Sequence, residues 1–253
     1  MPHARNTRAR NTLTTAAAVI AALMLAACED ASDSTSAPEP KATTSTSASS
    51  AAPRQMEGIN GALEPGAWVV PFWGKDPGSL PRAVVQVPEG YGSPGGWVVD
   101  RGADGHPDEY GSVSFWTVQD VVRDFCEGVT TFDPGPGVRD LARALGSRPG
   151  VPAVRPKRVT VDGRSALYLE IKFPVDETQL AGCHSSEYTL WGTDAGNFYG
   201  GDVAGTVSRL WILDVDGTRV VMVADTTPGE DAATTAEVLG IARSAHFVEA
   251  LQP

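Results

Sequence analysis

The stretch that decides the fold is TVSRLWILDVDGTRVVMVA, residues 206–224. Two apolar runs, 206–215 and 218–224, flank the pair Asp216-Gly217. An Asp-Gly pair between such runs is the strongest short-range signal for a β-hairpin, because both turn positions require a positive φ. Residues 157–161 and 164–173 show the same pattern around Asp162-Gly163. The sequence therefore predicts two hairpins of antiparallel strands.

Further elements are predicted on both sides of these hairpins. Short β-branched or aromatic runs bounded by Gly or Pro predict strands near 67–72, 82–87, 97–99, 112–118 and 187–191. Apolar residues at helical spacing predict one helix over about 137–146 and a second over about 230–244. Hairpin-connected strands form an antiparallel sheet, and two helices on its faces make an α+β sandwich, which is the fold class we predict.

The first 27 residues have the pattern of a secretory signal peptide. This segment contains three arginines, Arg5, Arg8 and Arg10, and no acidic residue. An uncharged run follows over residues 13–27. That run is too short for a stable span, although an uncleaved membrane anchor is the alternative. Leu25-Ala26-Ala27-Cys28 resembles the lipobox of bacterial lipoproteins. The resemblance implies cleavage before Cys28, a lipid on its thiol, and a location on the extracytoplasmic face of the cell membrane.

A stalk and a single domain are predicted to follow the signal peptide. Residues 28–55 consist mainly of Ser, Thr, Ala and Pro, a composition that cannot bury enough apolar surface to offset its ordering entropy. We therefore expect this segment to be a disordered stalk that holds the domain clear of the membrane. Residues 56–253 contain all 27 glycines, and they have a suitable length for one extracellular domain with its own core.

The three cysteines fit an exported protein. If Cys28 carries lipid, Cys126 and Cys183 remain as a pair, and an oxidising compartment favours a disulfide between them. The alternative is a metal site built from Cys126, Cys183 and His184. That site would lack the paired C-x-x-C spacing of structural zinc. We therefore predict a disulfide and no metal.

The charge of the chain limits its partners. The formal net charge is −11, and it becomes more negative when the signal peptide and its three arginines are removed. Such a chain has no basic stripe with which to neutralise phosphates, so nucleic acid is an unsuitable partner. Cations or basic partners suit it better, although acidity that serves only solubility is the alternative.

Few residues stand out as candidates for chemistry. Trp73 and Trp97 lie at turn edges, where an aromatic ring could stack on a sugar or a partner, and packing beneath a loop is the alternative. His106 lies among acidic residues in a Gly/Asp/Pro loop that could hold a cation or a general base, and an exposed polar loop is the alternative. No Gly-x-Ser-x-Gly motif is present, so we assign no catalytic residue and no cofactor.

Two segments of the domain carry a family resemblance. Val87-Pro88-Glu89-Gly90-Tyr91 resembles the opening of many actinobacterial surface lipoproteins of unknown function, and residues 211–217 and 228–247 are similar to their ending. The resemblance implies a PsbP/Mog1-like α/β/α sandwich, and these families share no catalytic residues. We therefore expect a non-enzymatic binding or protein-interaction module whose partner is a surface protein or a small ligand. A carrier of a small ligand or lipid is the alternative, and an envelope hydrolase using His106 or His184 is a further one.

Overall fold

The computed structural model describes residues 52–74, 77–102, 110–127, 130–148, 154–173, 176–193 and 198–249. These residues fall within the unit Ser49–Pro253. The predicted signal peptide, Cys28 and the stalk up to residue 51 lie outside the described residues. None of the helices described is both long and apolar enough to cross a membrane.

Most of the regular structure in the described ranges is β-strand. Sixteen strands are present there: β1 Arg54–Gln55, β2 Gly61–Ala62, β3 Gly66–Pro71, β4 Arg82–Val87, β5 Gly92–Ser93, β6 Val98–Arg101, β7 Gly111–Thr117, β8 Asp120–Val122, β9 Thr131–Phe132, β10 Lys157–Val161, β11 Arg164–Lys172, β12 Tyr188–Gly192, β13 Phe198–Gly201, β14 Val207–Val215, β15 Thr218–Thr226 and β16 His246–Val248. Three α-helices accompany them: α1 Val138–Gly146, α2 Glu177–Ala181 and α3 Ala232–Arg243. Single turns of 3-10 helix occupy Pro77–Ser79 and His184–Ser186.

Both Asp-Gly hairpins are confirmed. Asp162 and Gly163 join β10 to β11 with φ values of 49° and 71°, and Asp216 and Gly217 join β14 to β15 with 52° and 88°. Positive φ at both central residues gives the turn a backbone twist that matches the twist of the flanking strands. Strands β11 and β14 pair with each other, so the two hairpins form one continuous antiparallel surface.

The strands form three sheets. The hairpins belong to a central eight-stranded sheet with the order β10-β11-β14-β15-β7-β6-β5-β2. Two four-stranded sheets have the orders β1-β3-β4-β16 and β13-β12-β8-β9. In the first of these, β1 at the end of the predicted stalk pairs in parallel with β3.

The central sheet is buried on both faces, which explains the nearly continuous apolar runs of β14 and β15. Alternate residues of β15 belong to different hydrophobic clusters: Val220 and Met222 to one, Val221 and Val223 to the other. The first face packs against β3, β4 and α3. There a Cβ on Gly111 would lie 2.5 Å from Val238 Cγ2, so glycine permits α3 to lie close to β7. The second face packs against α1 and the sheet that contains β12.

The predicted fold class is therefore wrong. We predicted an antiparallel sheet with a helix on each face, the α/β/α sandwich of the PsbP/Mog1-like proteins. The structure is mostly β. In the described residues a small sheet and α3 cover the first face of the central sheet, and a small sheet with α1 and Leu180 of α2 covers the second. Most of the strands that were not predicted are two to four residues long, and such short segments carry too few residues to show a period of two.

Candidate functional site

A row of polar residues crosses the second face of the central sheet. Asp100 on β6 pairs with Ser112 on β7, Ser112 pairs with Asp225 on β15, and Asp225 pairs with Ser208 on β14. Directly opposed residues in an antiparallel sheet point to the same face. The next row on this face contains Val98, Ser114, Val223 and Leu210. Two carboxylates, on β6 and β15, thus lie on either side of β7 at the edge of an apolar surface.

Asp225 is buried, and each of its carboxylate oxygens accepts a hydrogen bond. The Ser208 hydroxyl donates to its Oδ1 at 2.6 Å, and the Tyr199 hydroxyl donates to its Oδ2. Burial raises the pKa of Asp225 from its ordinary 3.8 to about 6, and the two hydrogen bonds oppose part of that rise. Asp225 is therefore held in place by neutral donors and by the more distant charge of Arg209.

Asp100 is buried without such support. The residue is 8% exposed, and its Oδ1 has no hydrogen-bond partner among the described residues. Burial alone raises the pKa of this carboxyl to about 6. A buried polar atom without a partner is unfavourable, and a buried charge without a counter-charge is more so. Asp100 thus presents an acceptor and, at neutral pH, a negative charge that the described residues leave unmatched.

Two tyrosines lie beside the carboxylates. The Tyr110 hydroxyl is 3.4 Å from Ser112 Oγ, and burial together with the charge of Asp225 raises the pKa of Tyr110. Burial and Asp225 also raise the pKa of Tyr199 well above its ordinary value. Both phenols therefore stay neutral at physiological pH.

A chain of contacting aromatic rings lies beside the polar row. Tyr199 stacks on Trp191 with ring centroids 4.3 Å apart, and it meets the edge of Trp116 at 5.0 Å. Trp116 meets Trp97 at 5.5 Å, and Trp97 lies 4.8 Å from Trp73. The site is therefore bounded by a continuous series of indole and phenol rings.

These residues enclose a cleft between the central sheet and β13. A cavity of about 240 Å³ is lined by both carboxylates, by aromatic residues of β7 and β13, and by Trp97 and Tyr110, which directly precede β6 and β7. We call it the acidic–aromatic cleft, and the residues that define it here are Trp97, Asp100, Tyr110, Trp116, Phe198, Tyr199 and Asp225. Phe198 is 52% exposed and forms part of the solvent-facing edge. A second cavity of about 260 Å³ shares Tyr110, Gly200 and Asp225 with it and extends towards Asp202 and Thr227.

The structure separates the candidate residues of the sequence. Trp97 lines the cleft. Trp73 is not among the lining residues: its ring packs against that of Trp97, and its backbone forms a β-bridge with Trp116. His106 lies outside the described residues. His184 is exposed in its 3-10 turn and is not among the residues that line the cleft.

The predicted disulfide is confirmed. Cys126 and Cys183 are bonded, with Cα atoms 4.4 Å apart, and they join the segment after β8 to the turn after α2. The thiols are therefore not available as metal ligands. Within the described ranges, no group of three or more His, Cys, Asp or Glu residues is arranged to hold a metal ion.

Asp100 and Asp225 were not identified from the sequence, although a signal was present. Asp225 continues the inward alternation of Val221 and Val223, and Asp100 continues that of Val98. An acidic residue at an inward position of an apolar strand indicates either a paired charge or a site. The signal identifies a site only when the strand register shows that both carboxylates lie on one face of the sheet.

Comparison with known proteins adds no relatives. No family model, no curated protein and no solved structure matches the chain.

Proposed function

We propose that this chain is a lipid-anchored protein on the extracytoplasmic face of a cell membrane, and that its domain binds a small organic ammonium ion in the acidic–aromatic cleft. The lipobox-like Leu25-Ala26-Ala27-Cys28 supports the anchor. The predicted stalk supports display away from the membrane. The disulfide between Cys126 and Cys183 supports an oxidising compartment.

The unmatched carboxylate of Asp100 is the observation that carries the ligand class. The carboxylate lacks a hydrogen-bond donor for Oδ1 and a positive charge beside it. An ammonium group supplies both. A neutral ligand would supply only the donor. A metal ion would require further oxygen ligands, and Asp225 already accepts from Ser208 and Tyr199.

The aromatic walls favour the same ligand class. A cation over the face of a Trp or Tyr ring gains about 0.5–2 kcal/mol, with larger values where water is excluded. Trp97, Trp116 and Tyr199 all line the cleft beside the carboxylates. Its volume of about 240 Å³ lies below the usual range for drug-sized ligands, so we infer a ligand of few heavy atoms.

The cleft gives less support to the alternatives. Its small volume and its two carboxylates are unsuited to a lipid tail, whose burial requires a larger apolar cavity. A hydrolase would need a carboxyl group free to exchange protons with a substrate. Asp225 is held by two donors, and His184 is not among the residues that line the cleft.

Isothermal titration calorimetry on the full chain, purified in a nonionic detergent after oxidising expression, tests the proposal. Cyclohexylammonium is the probe, and cyclohexanol has the same ring and a neutral donor. We expect saturable binding of the amine and at least about tenfold weaker binding of the alcohol.

Asp100→Asn should weaken binding of the amine by about tenfold or more, because it removes the charge and keeps the shape. Asp214→Asn is the matched control: it removes one exposed charge, and the amide oxygen can still accept from Gly217 N. Equal affinity for the amine and the alcohol, or no effect of Asp100→Asn, would overturn the ligand class.

A further inference from the structure

A separate cavity, of about 520 Å³, lies beside α1 and β9. It shares none of its described lining residues with the acidic–aromatic cleft. Three arginines line it, Arg123, Arg143 and Arg148, together with Phe132 and a single carboxylate, that of Asp140. We call it the arginine cavity. In a chain with a net charge of −11, three arginines against one carboxylate make this a local region of opposite charge.

Arg148 is the unusual member of this group. Its side chain is buried, with 6% exposure for the whole residue, and it lies over the Phe125 ring at 4.3 Å. Nη2 donates to the Leu190 carbonyl at 2.7 Å, whereas Nη1 has no hydrogen-bond partner among the described residues. Burial lowers its pKa to about 9, so the guanidinium remains charged at neutral pH.

The other two arginines leave most of their charge free. Arg123 lies over the Phe132 ring at 5.3 Å, and no carboxylate pairs with it among the described residues. Arg143 approaches Asp140 at 3.6 Å, and its side chain is 75% exposed. An exposed pair of this kind contributes little to stability and can readily exchange partners.

We propose that the arginine cavity binds an oxyanion of the phosphate-monoester type, either as free phosphate or as part of a small organic molecule. Three guanidinium groups against one carboxylate leave two positive charges in excess, which matches the charge of such a dianion near neutral pH. Guanidinium groups also provide the paired N–H donors that fit phosphate oxygens. The buried charge of Arg148 explains why the site favours an anion even though it lies on an acidic chain.

Calorimetry on the full chain in nonionic detergent tests this site with two probes, inorganic phosphate and glycerol 3-phosphate, at constant ionic strength set with chloride. Arg123→Gln is the informative variant, because Arg123 is exposed and its loss should leave the fold intact. We expect it to weaken binding by about tenfold. Arg139→Gln is the control: it removes the same charge from an exposed position on α1 that does not line the cavity.

The two probes separate the possible sources of the anion. Tighter binding of glycerol 3-phosphate would assign the site to an organic phosphomonoester, and equal or tighter binding of inorganic phosphate would assign it to the free ion. Both outcomes support the proposal. The absence of saturable binding with either probe, or equal weakening by Arg139→Gln and Arg123→Gln, would overturn it.

Discussion

Asp100 and Asp225 face the same side of the central sheet, each directly opposite Ser112 and separated from one another by strand β7 alone. Strands lie about 4.8 Å apart, so the two Cα atoms are separated by roughly 10 Å. The environments of the two carboxylates differ, because Asp225 accepts two hydrogen bonds whereas Oδ1 of Asp100 accepts none from the described residues.

The domain should become less stable as the pH rises from about 4 through about 6. Burial raises the pKa of Asp100 and Asp225 to about 6 in the folded chain, against about 3.9 in the unfolded chain. The folded state therefore holds more protons in this window, and the free energy of unfolding falls with rising pH. Each carboxyl should remove about 1 kcal/mol between about pH 5 and about pH 7.5. Urea unfolding at about pH 5 and about pH 7.5 measures this loss of free energy.

Asp100→Asn should stabilise the domain at neutral pH while it weakens ligand binding. The substitution removes the unfavourable burial of a charge, although the new amide must also be buried. We expect a gain of about 1 kcal/mol at about pH 7.5 and a smaller gain at about pH 5, because Asp100 is then largely protonated. The free energy of unfolding from urea titrations reports both values. Asp214→Asn serves as the control, and a loss of stability at neutral pH would contradict the account of Asp100.

Removing the disulfide should lower the stability substantially. Cys126 and Cys183 are 57 positions apart, and the chain-entropy model assigns about 4 kcal/mol to the closure of such a loop. The double variant Cys126→Ala/Cys183→Ala should therefore unfold at a lower denaturant concentration than the parent. A reducing agent should shift the parent to a similar midpoint and leave the double variant unchanged. A shift of the double variant by reductant would mean that another bond contributes.

Two glycine substitutions should act in opposite directions. Gly217 has φ 88° in the β14–β15 turn, and no atom lies within 4 Å of the position that a Cβ would occupy, so Gly217→Ala acts through backbone strain. We expect a loss of about 1–2 kcal/mol. Gly240 lies exposed within α3 with equally open space, and Gly240→Ala should add about 0.5–1 kcal/mol. Thermal unfolding midpoints compare the two variants, and a loss in both would contradict the hairpin account.

The strands of the two hairpins, strand β4 and helices α1 and α3 could be predicted because their sequences carry local signals. Asp162-Gly163 and Asp216-Gly217 define their turns, and the predicted strand at 82–87 is β4 itself. Asp231 caps α3 by accepting from Thr234 N at 2.6 Å, within the predicted segment. The sheet that contains β12 could not be assembled in this way, because β8 pairs with β12, which lies far along the chain, and β9 pairs with β8.

The candidate site illustrates the same limit. Trp97 could be singled out because it follows two glycines at a turn edge. The cleft itself depends on the pairing of Asp100 with Ser112, and of Ser112 with Asp225, which lies more than a hundred positions further along the chain. The charges and the rings are present in the sequence, but only the register of distant strands brings them to one face.

The most direct test of the central claim is a tryptophan fluorescence titration of the full chain with cyclohexylammonium and cyclohexanol. Trp97 and Trp116 line the cleft, so a bound ligand should change their emission. We expect a saturable change with the amine at neutral pH, a much weaker change with the alcohol, and loss of the amine response in Asp100→Asn. A response of equal size and midpoint for both probes, or one that persists in Asp100→Asn, would contradict an ammonium site at this cleft.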